Sequence, residues 1–503
     1  MTALEQYFEK FRLNTIGHDA TFESPFGTQK IIYADWIASG RLYAPIEDKI
    51  RNVFGPLVGN THSEASETGN AMTQAYHLAQ RIIKNHVNAC DNDVILTTGT
   101  GMTGAINKLH RILGLKIPEQ AKLFCKFAQN ANENCIDYLD DNDKPIVFVT
   151  HIEHHSNHTS WLETFADVVV IEPTKNLLID PEILKTTLEK YKDRKIKIGS
   201  FSACSNVTGY APDYHLLAKL MHQYGGICFV DFAASAPYYK IDMHPEDKEA
   251  YLDGIYFSPH KFLGGPGSSG VLVFNKKHYK NEVPDQPGGG TVKWTNRWGK
   301  YSYISDIEVR EDGGTPGFLQ AIRTALAIKL KEEMGIDNIR NREQELLKIA
   351  FEELPKINGL RILADNIRER LGVISFYMIG IHHNLVVRLM NDRFGIQLRG
   401  GCSCAGTYGH FLLDVDVQIS KEITDRIEAG DLSGKPGWVR LSLHPTMTND
   451  ELHFIIDALK QLTYNHEEWR NDYMYSRKTN EFYHKDFPEK HDDYYLKMFD
   501  GLV

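Results

Sequence analysis

Seven short apolar runs alternate with helical stretches between residues 94 and 274, and this alternation restricts the possible folds more than any other feature of the chain. The runs are Val94–Leu96, Ile146–Thr150, Val168–Ile171, Ile196–Phe201, Ile227–Asp231, Gly254–Phe257 and Gly270–Phe274. Strands that alternate with helices form a mostly parallel sheet covered by helices on both faces. We therefore predict an α/β fold whose large domain is built on such a sheet.

Helical patterns and further strand-like runs indicate more than one domain. Apolar residues recur at helical spacing over 70–89, and a longer helical pattern covers Gln320–Ile339. A second block then contains strand-like runs at Leu360–Leu363, Gly372–Met378 and Trp438–Leu443. We interpret that block as a smaller α+β domain.

These patterns give the following expected boundaries. We expect an N-terminal helical segment over 1–30, a large domain over 31–320 with a polar insertion at 117–144, and a small domain over 321–464. The C-terminal extension, 465–503, holds nine aromatic residues. Disordered tails are usually poor in aromatic residues. We therefore expect this extension to dock on the body of the protein.

Composition and charge exclude several classes of protein. The chain has 503 residues with a formal net charge of −10 and no basic tail, which argues against non-specific nucleic-acid binding. No segment approaches the ~18 consecutive apolar residues of a membrane helix, and the charged N-terminus lacks the apolar part of a signal peptide. Seven cysteines in this length do not form a disulfide framework. We expect a cytoplasmic enzyme, with a scaffold protein as the alternative.

The segment with the most informative group of polar and ionisable side chains is 254–267, GIYFSPHKFLGGPG. Ser258, His260 and Lys261 follow the end of a predicted strand, where parallel sheets bind ligands. A buried lysine there loses its charge readily and becomes a nucleophilic amine. The alternative is a surface lysine before a flexible turn. No Gly-Lys-Ser/Thr follows, so the segment is not a P-loop.

Three upstream segments add polar groups at other predicted strand ends. Asp231 could hold a protonated pyridine nitrogen, or it could cap the next helix. Backbone N–H groups of Thr97–Thr103 could surround a phosphate, or the segment could be a plain turn. The segment Thr150–His158 offers a different alternative, a zinc site with ligands from Glu153, His154, His155 and His158.

Taken in order, ten segments resemble fold-type I pyridoxal-phosphate enzymes of the class V aminotransferase group. Within that group the chain is most similar to the second group of cysteine desulfurases and selenocysteine lyases. The resemblance runs from about Ile32 to Leu462. The segments are Tyr33-Ala-Asp-Trp-Ile-Ala-Ser39, Asn60-Thr-His62, Thr100-Gly-Met-Thr-Gly-Ala-Ile-Asn107, Glu153-His-His-Ser-Asn157, Ser205-Asn-Val-Thr-Gly209, Asp231, Ser258-Pro-His-Lys261, Gly314-Thr-Pro316, Arg399-Gly-Gly-Cys-Ser-Cys404 and Arg440-Leu-Ser442.

The resemblance implies pyridoxal 5'-phosphate as the cofactor and assigns residues to its ring. Lys261 matches the lysine that forms the internal aldimine and later moves protons. Asp231 matches the acid that holds the pyridinium nitrogen. His154 matches the imidazole that stacks on the ring, and Asn206 matches the amide near the ring hydroxyl.

The resemblance also assigns residues to the cofactor phosphate. Met102 and Thr103 match its backbone and side-chain contacts, and Ser258 and His260 join them. Thr315 matches a residue that reaches the phosphate of the other subunit, so a homodimer is implied.

A small amino acid is the implied substrate. Arg440 matches the arginine that binds its carboxylate, a bidentate contact suited to guanidinium, and Arg399 could help. Cys404 matches the thiol that takes the substrate's sulfur as a persulfide and leaves alanine. A thiolate is the attacking species, so Cys404 needs a positive and partly open setting. A sulfur-acceptor protein is then an implied partner.

Two departures from the family keep other activities open. Ala234 stands where desulfurases usually have glutamine, and Ser235 or Asn206 could compensate. Cys402 lies two residues before Cys404 and could serve in its place or form a disulfide with it. The alternatives are an aminotransferase, an epimerase or a kynureninase-like lyase, none of which needs a catalytic thiol, or an inactive protein that keeps the fold for interactions.

Overall fold

The computed structural model describes residues 2–61, 63–121, 140–488 and 492–501. The predicted insertion at 117–144 therefore falls mostly outside the described residues. His62, part of one matching segment, falls outside them as well.

Helices alternate with strands along most of the described chain. In chain order the α-helices are α1 (Ala3–Leu13), α2 (Ala44–Lys49), α3 (Glu67–His86), α4 (Met102–Ile112), α5 (His155–Leu162), α6 (Pro181–Lys190), α7 (Tyr214–Gln223), α8 (Ile307–Arg310), α9 (Phe318–Met334), α10 (Ile336–Glu353), α11 (His383–Phe394), α12 (Gly406–Leu412), α13 (Val417–Glu428), α14 (Asn449–Trp469) and α15 (Asp492–Leu496). A π-helical turn covers Ile50–Phe54, and 3-10 turns cover Gly55–Leu57, Pro259–Lys261, Lys276–His278, Leu354–Lys356 and Arg470–Asp472. In the part of the chain that is described, no helix is both long enough and apolar enough to cross a bilayer.

The strands form one large sheet, one small sheet and several two-stranded pairs. They are β1 (Thr21–Ser24), β2 (Gly27–Lys30), β3 (Ile32–Tyr33), β4 (Asp93–Thr98), β5 (Ile146–Thr150), β6 (Asp167–Ile171), β7 (Lys197–Ser202), β8 (Ile227–Asp231), β9 (Gly254–Phe257), β10 (Gly270–Asn275), β11 (Val292–Thr295), β12 (Tyr301–Tyr303), β13 (Leu360–Ile362), β14 (Val373–Met378), β15 (Ile396–Gln397), β16 (Arg399–Gly401), β17 (Trp438–Ser442), β18 (Tyr473–Ser476) and β19 (Glu481–His484).

The large sheet has the strand order β4-β10-β9-β8-β7-β5-β6. Strand β10 pairs antiparallel with β4 and β9, and the remaining neighbours are parallel. Each of the seven apolar runs coincides with one of these strands, and only Ile196 lies outside, one residue before β7. Successive side chains enter different apolar clusters, as Phe148 and Val149 of β5 do, so both faces of the sheet are covered. The predicted α/β fold with a mostly parallel sheet is confirmed.

Local sequence explains where several helices begin and end. Helix α1 starts with a capping box, in which Thr2 Oγ1 accepts a bond from the Glu5 N–H and the Glu5 carboxylate accepts one from the Thr2 N–H. The pattern over Gln320–Ile339 predicts one helix, but the structure has two, α9 and α10. They separate at Gly335, whose φ of +76° lies in the left-handed region that interrupts a helix.

The small sheet is antiparallel and has the order β13-β14-β17-β16. Helices α10, α11 and α14 contribute to the apolar core that covers it. The N-terminal part of the chain joins this unit, because β3 pairs with β15 and the Ser442 N–H donates to the Ala34 carbonyl at 2.8 Å.

The C-terminal extension folds back as a hairpin of β18 and β19. Tyr473 and Phe482 are buried in the apolar core of the small sheet. The Tyr473 hydroxyl donates to the carboxylate of Asp392 on α11 at 2.9 Å. The hairpin is thereby held by both apolar and polar contacts.

Candidate active site

A cavity of about 230 Å³ opens at the carboxyl ends of β7, β8 and β9, and β16 and β17 of the small sheet close its other side. Strand ends meet here because parallel strands finish at one edge of the sheet. Eleven of the predicted site residues line this cavity: Met102, Thr103, His154, Asn206, Asp231, Ser258, His260, Lys261, Arg399, Cys404 and Arg440.

Thr315 lies apart from these residues. It lines a neighbouring, more open cavity of about 690 Å³, and His260 lines both cavities. The Thr315 hydroxyl donates to Asn60 Oδ1 at 3.2 Å. Its expected contact with a second subunit stays a prediction.

Lys261 and Asp231 form the charged centre of the cavity. Burial lowers the pKa of Lys261, and the nearby guanidinium groups of Arg440 and Arg399 lower it further. Burial raises the pKa of Asp231, while the Ala233 N–H bonded to its Oδ1 at 2.7 Å and the charge of Lys261 act in the opposite direction. The site thus holds an amine that is more easily neutral than an exposed lysine, beside a buried carboxyl.

Glu153 is buried near this centre, and both oxygens of its carboxylate accept hydrogen bonds. Its carboxylate accepts bonds from Ser202 Oγ at 2.6 Å, Asn157 Nδ2 at 2.6 Å and Thr150 Oγ1 at 2.5 Å. Burial raises the pKa of Glu153, and these donors oppose that rise. The carboxylate therefore ties β5, α5 and β7 together beneath the site, a role that the sequence did not reveal.

The zinc alternative is not supported by this arrangement. His155 Nε2 accepts the Gly406 N–H at 2.9 Å, and His158 Nδ1 lies 3.1 Å from Thr407 Oγ1. Both imidazoles thus face α12, away from the buried Glu153. Among the described residues, the four candidate ligands do not converge on one point.

His154 lies in the cavity as a neutral ring. Its Nδ1 accepts the Ser156 N–H at 3.1 Å and caps α5. Burial and the charge of Lys261 lower its pKa to about 3. A neutral imidazole offers a flat face against which an aromatic ring can stack.

The start of α4 forms a small polar pocket at one end of the cavity. The Met102 N–H donates to Ser258 Oγ at 2.8 Å, and the hydroxyls of Thr103 and Ser156 are 2.7 Å apart. Gly101 precedes the helix and has no side chain to cap it. The positive end of a helix dipole favours the binding of a phosphate at such a terminus.

Arg440 is buried and only partly satisfied by hydrogen bonds. Its Nη2 donates to Asp35 Oδ1 at 2.8 Å, and its Nη1 reaches the Asn206 carbonyl at 3.3 Å. Its Nε has no hydrogen-bond partner among the described residues. The guanidinium therefore keeps a donor for an incoming anion.

Asp35 is a site residue that the sequence did not identify. Its Oδ2 also accepts Arg399 Nε at 3.0 Å, so one carboxylate joins both arginines. The segment Tyr33–Ser39 carries part of the family resemblance, but the two arginines lie more than 360 positions further along the chain. Only the folded chain shows that they meet.

Cys404 is an exposed thiol at the cavity wall. Ser403 and Cys404 have φ values of +51° and +56°, an unusual conformation for residues other than glycine. The loop is held by the His155 N–H, which donates to the Cys404 carbonyl at 2.8 Å, and by Asn206 Nδ2, which donates to the Ser403 carbonyl at 2.8 Å.

The other two nearby cysteines are less suited to attack a substrate. Cys402 does not line the cavity; it packs, partly buried, against an apolar cluster around Trp438, and it is not bonded to Cys404. Cys204 does line the cavity, but it is buried, and burial raises its pKa strongly. A thiol that stays protonated is a poor nucleophile.

Ala234, which stands where desulfurases usually have glutamine, also lies at the cavity. Ala234 lines it and leaves no polar group there. Ser235, one of two suggested replacements, is fully buried outside the lining, and its Oγ has no partner in the described part of the chain. Asn206, the other, does line the cavity. The structure thus favours Asn206 over Ser235 as the polar group near the position of Ala234.

The sequence of the chain matches the model of a known family. Residues 118–455 match the family model for aminotransferase class-V, and the chain belongs to this family of pyridoxal-phosphate enzymes, as its motifs predict.

Particular relatives in this family point to a narrower group. The chain is 28% identical over 388 residues to a probable cysteine desulfurase of Staphylococcus epidermidis, covering 76% of this chain and 85% of the relative. It is 27% identical over 375 residues to a probable cysteine desulfurase of Halalkalibacterium halodurans, covering 75% and 84%.

Solved structures share the fold over almost the whole chain. A cysteine desulfurase from Thermococcus onnurineus NA1 superposes with a TM-score of 0.71 at 22% identity, covering 91% of this chain and 98% of that one. A cysteine desulfurase from Escherichia coli gives a TM-score of 0.68 at 21% identity, covering 92% and 98%.

Proposed function

We propose that this chain is a pyridoxal-phosphate enzyme that removes sulfur from cysteine, or selenium from selenocysteine, and leaves alanine. The observation that carries the proposal is the position of Cys404, an exposed thiol lining the same cavity as Lys261, Asp231 and Arg440. An aminotransferase or epimerase needs the last three groups but no thiol. The names of the relatives from Staphylococcus epidermidis and Halalkalibacterium halodurans support the same activity.

The residues present fit pyridoxal phosphate. Lys261 would hold the cofactor through its amine, and Asp231 would hold the ring nitrogen; a cationic nitrogen there favours the ionised carboxylate. His154 would lie against the ring. The start of α4, with Ser258 and His260, would hold the phosphate. When bound, the cofactor supplies an electron sink for the bonds around the substrate's α-carbon.

Each of the protein's own groups would then perform one part of the reaction. Arg440, helped by Arg399, would bind the substrate carboxylate. The neutral amine of Lys261 would take the α-proton and later return one. The Cys404 thiolate would attack the substrate's sulfur, so that an S–S bond forms and the C–S bond breaks. The electron pair of the broken C–S bond would stay on the substrate's carbon. That carbon would take a proton, so that the substrate leaves as alanine. Cys404 would retain the sulfur as a persulfide.

The persulfide needs an acceptor, and we propose a thiol-bearing protein for this role. Cys404 is exposed, so a partner's thiol can approach it from solvent. Attack of that thiol on the outer sulfur would return Cys404 to its starting state.

We further propose that the enzyme is a homodimer. The cavity that contains Thr315 adjoins the active-site cavity and shares His260 with it. Trp294 and Trp298, on the hairpin of β11 and β12, are 47% and 73% exposed. Exposed aromatic residues of this size support a surface that a second copy covers.

Product analysis tests the proposed activity. The purified protein, loaded with pyridoxal phosphate, is incubated with cysteine, selenocysteine and a panel of other amino acids, and sulfide, selenide, alanine and keto acids are measured. We expect alanine and sulfide in equal amounts from cysteine in the presence of a thiol reductant. Release of a keto acid from some amino acid, without sulfide from cysteine, would favour an aminotransferase instead.

A further inference from the structure

The backbone around Asp35 is fixed between β15, which lies just before the strand of Arg399, and β17, which carries Arg440. The Ala34 N–H donates to the Gln397 carbonyl at 3.1 Å, two residues before Arg399. The Ser442 N–H donates to the Ala34 carbonyl at 2.8 Å, and Asp35 forms a β-bridge with Ser442. The position of the Asp35 carboxylate is therefore set by both strands.

Arg399 and Arg440 need a negative charge between them. They are direct partners in the antiparallel pairing of β16 and β17, so their side chains lie on the same face. Like charges directly opposite each other are destabilising. Asp35 accepts one bond from each, at 3.0 Å from Arg399 Nε and 2.8 Å from Arg440 Nη2, and only 13% of its side chain is exposed.

The three groups together keep one unit of positive charge and at least one free donor. Two guanidinium groups and one carboxylate sum to +1. Arg440 Nε has no partner among the described residues, and its Nη1 makes only a long bond of 3.3 Å. One incoming carboxylate would neutralise this positive charge. A second carboxylate would then find no positive charge left to neutralise it.

We propose that Asp35 is a positioning residue that orients Arg399 and Arg440 and limits the substrate to amino acids with a single carboxylate. The inference deepens the proposed function, and it rests on that function only where cysteine is named as the substrate. The ligand class itself, an amino acid with a single carboxylate, follows from the three charges.

Binding measurements on the cofactor-loaded enzyme test this role. The dissociation constants of L-alanine and L-aspartate are measured by calorimetry for the wild type, Asp35→Asn and Asp167→Asn. Asp167 is a matched control, because its carboxylate also joins two cations, Lys144 and Arg194, away from the site.

For Asp35→Asn we expect the dissociation constant of alanine to rise about tenfold or more, in the range of a lost charged hydrogen bond. The preference for alanine over aspartate should fall by at least about tenfold, because the second carboxylate then meets an uncompensated guanidinium. With cysteine, KM should rise while kcat changes little, since the reacting groups are untouched. Asp167→Asn should match the wild type in all of these values.

A second variant covers the case in which Asp35→Asn does not fold. Asp35→Glu keeps the charge and should retain the preference for alanine over aspartate. Loss of that preference in Asp35→Glu, or unchanged binding in a folded Asp35→Asn, would overturn the inference. If the wild type releases no sulfide from cysteine but binds alanine in an Asp35-dependent way, the proposed activity fails and the role of Asp35 stands.

Discussion

At the scale of single residues, the site works through pairs of groups that shift each other's protonation. Lys261 loses part of its affinity for a proton because it is buried beside Arg440, and the buried Asp231 limits that loss. The lowered pKa of Lys261 means that its amine is neutral in a larger fraction of molecules, at a given pH, than an exposed lysine. This is the state in which an amine can act as a nucleophile or a base.

Replacement of Lys261 gives the first residue-scale prediction. Wild-type protein incubated with pyridoxal phosphate should become yellow, and borohydride should fix one cofactor on the peptide that contains Lys261. Lys261→Ala should carry none. Lys276→Ala, which removes an exposed lysine outside the cavity, should behave like the wild type. A wild-type protein that stays colourless would refute the cofactor assignment.

The two cysteines of the loop give the second prediction. After brief exposure to cysteine, mass spectrometry should find a persulfide on Cys404. Cys404→Ala should lose sulfide release by about a hundredfold or more, because removal of a nucleophile costs several powers of ten in rate. Its substrate-induced spectral change should remain, since the thiol acts only on sulfur.

Cys402→Ala is the matched control, because Cys402 lies outside the cavity. It should lose far less activity than Cys404→Ala. A persulfide found on Cys402 alone would reverse the assignment of the two thiols. Selenocysteine should be less sensitive to Cys404→Ala, since selenium leaves more readily than sulfur.

At the scale of secondary-structure elements, the start of α4 depends on the absence of a side chain at position 101. A Cβ atom there would lie 3.0 Å from Ser258 Oγ, which is closer than almost all real contacts of this kind. Ser258 is also the acceptor of the Met102 N–H. The start of α4 therefore depends on the close approach of the Ser258 side chain to the backbone at Gly101.

Gly101→Val should weaken the binding of pyridoxal phosphate by about tenfold, corresponding to ~1.4 kcal/mol. The physical reason is that the branched side chain displaces Ser258 and blocks the N–H groups of the helix. Fluorescence titration of the cofactor-free protein measures this affinity. Thermal unfolding without cofactor is the control, because position 101 is only partly buried and does not belong to an apolar core. Unchanged affinity in a folded Gly101→Val would show that the phosphate binds elsewhere.

At the scale of the whole molecule, the two sheets meet at the candidate site, and a second, more open cavity that contains Thr315 adjoins it. We expect light scattering to give the mass of a homodimer, twice 57.3 kDa. Trp298→Asp places a charge on the exposed hairpin and should shift the protein toward monomer with weaker cofactor retention. A stable wild-type monomer that binds the cofactor fully would contradict the dimer.

The amino-acid sequence alone predicts the class of fold and most residues of the candidate site. Seven apolar runs were enough to predict the seven strands of the large sheet, because buried parallel strands are apolar along their whole length. Short motifs located Lys261, Asp231 and Arg440, because chemistry at a strand end needs particular residue types. Helix ends were less certain: the break at Gly335 depends on a local φ of +76° that the apolar pattern does not contain.

Which distant groups of the candidate site meet is visible only in the folded chain. Asp35 meets Arg399 and Arg440 because β3 pairs with β15 and a bridge joins Asp35 to Ser442, contacts that span most of the chain. The difference between Cys402 and Cys404 likewise depends on the fold. In the loop where Ser403 and Cys404 have left-handed backbone conformations, Cys404 lies at the cavity and Cys402 packs against the cluster around Trp438. Local sequence sets the type of each side chain, whereas its partners, its burial and hence its pKa arise from residues brought near by folding.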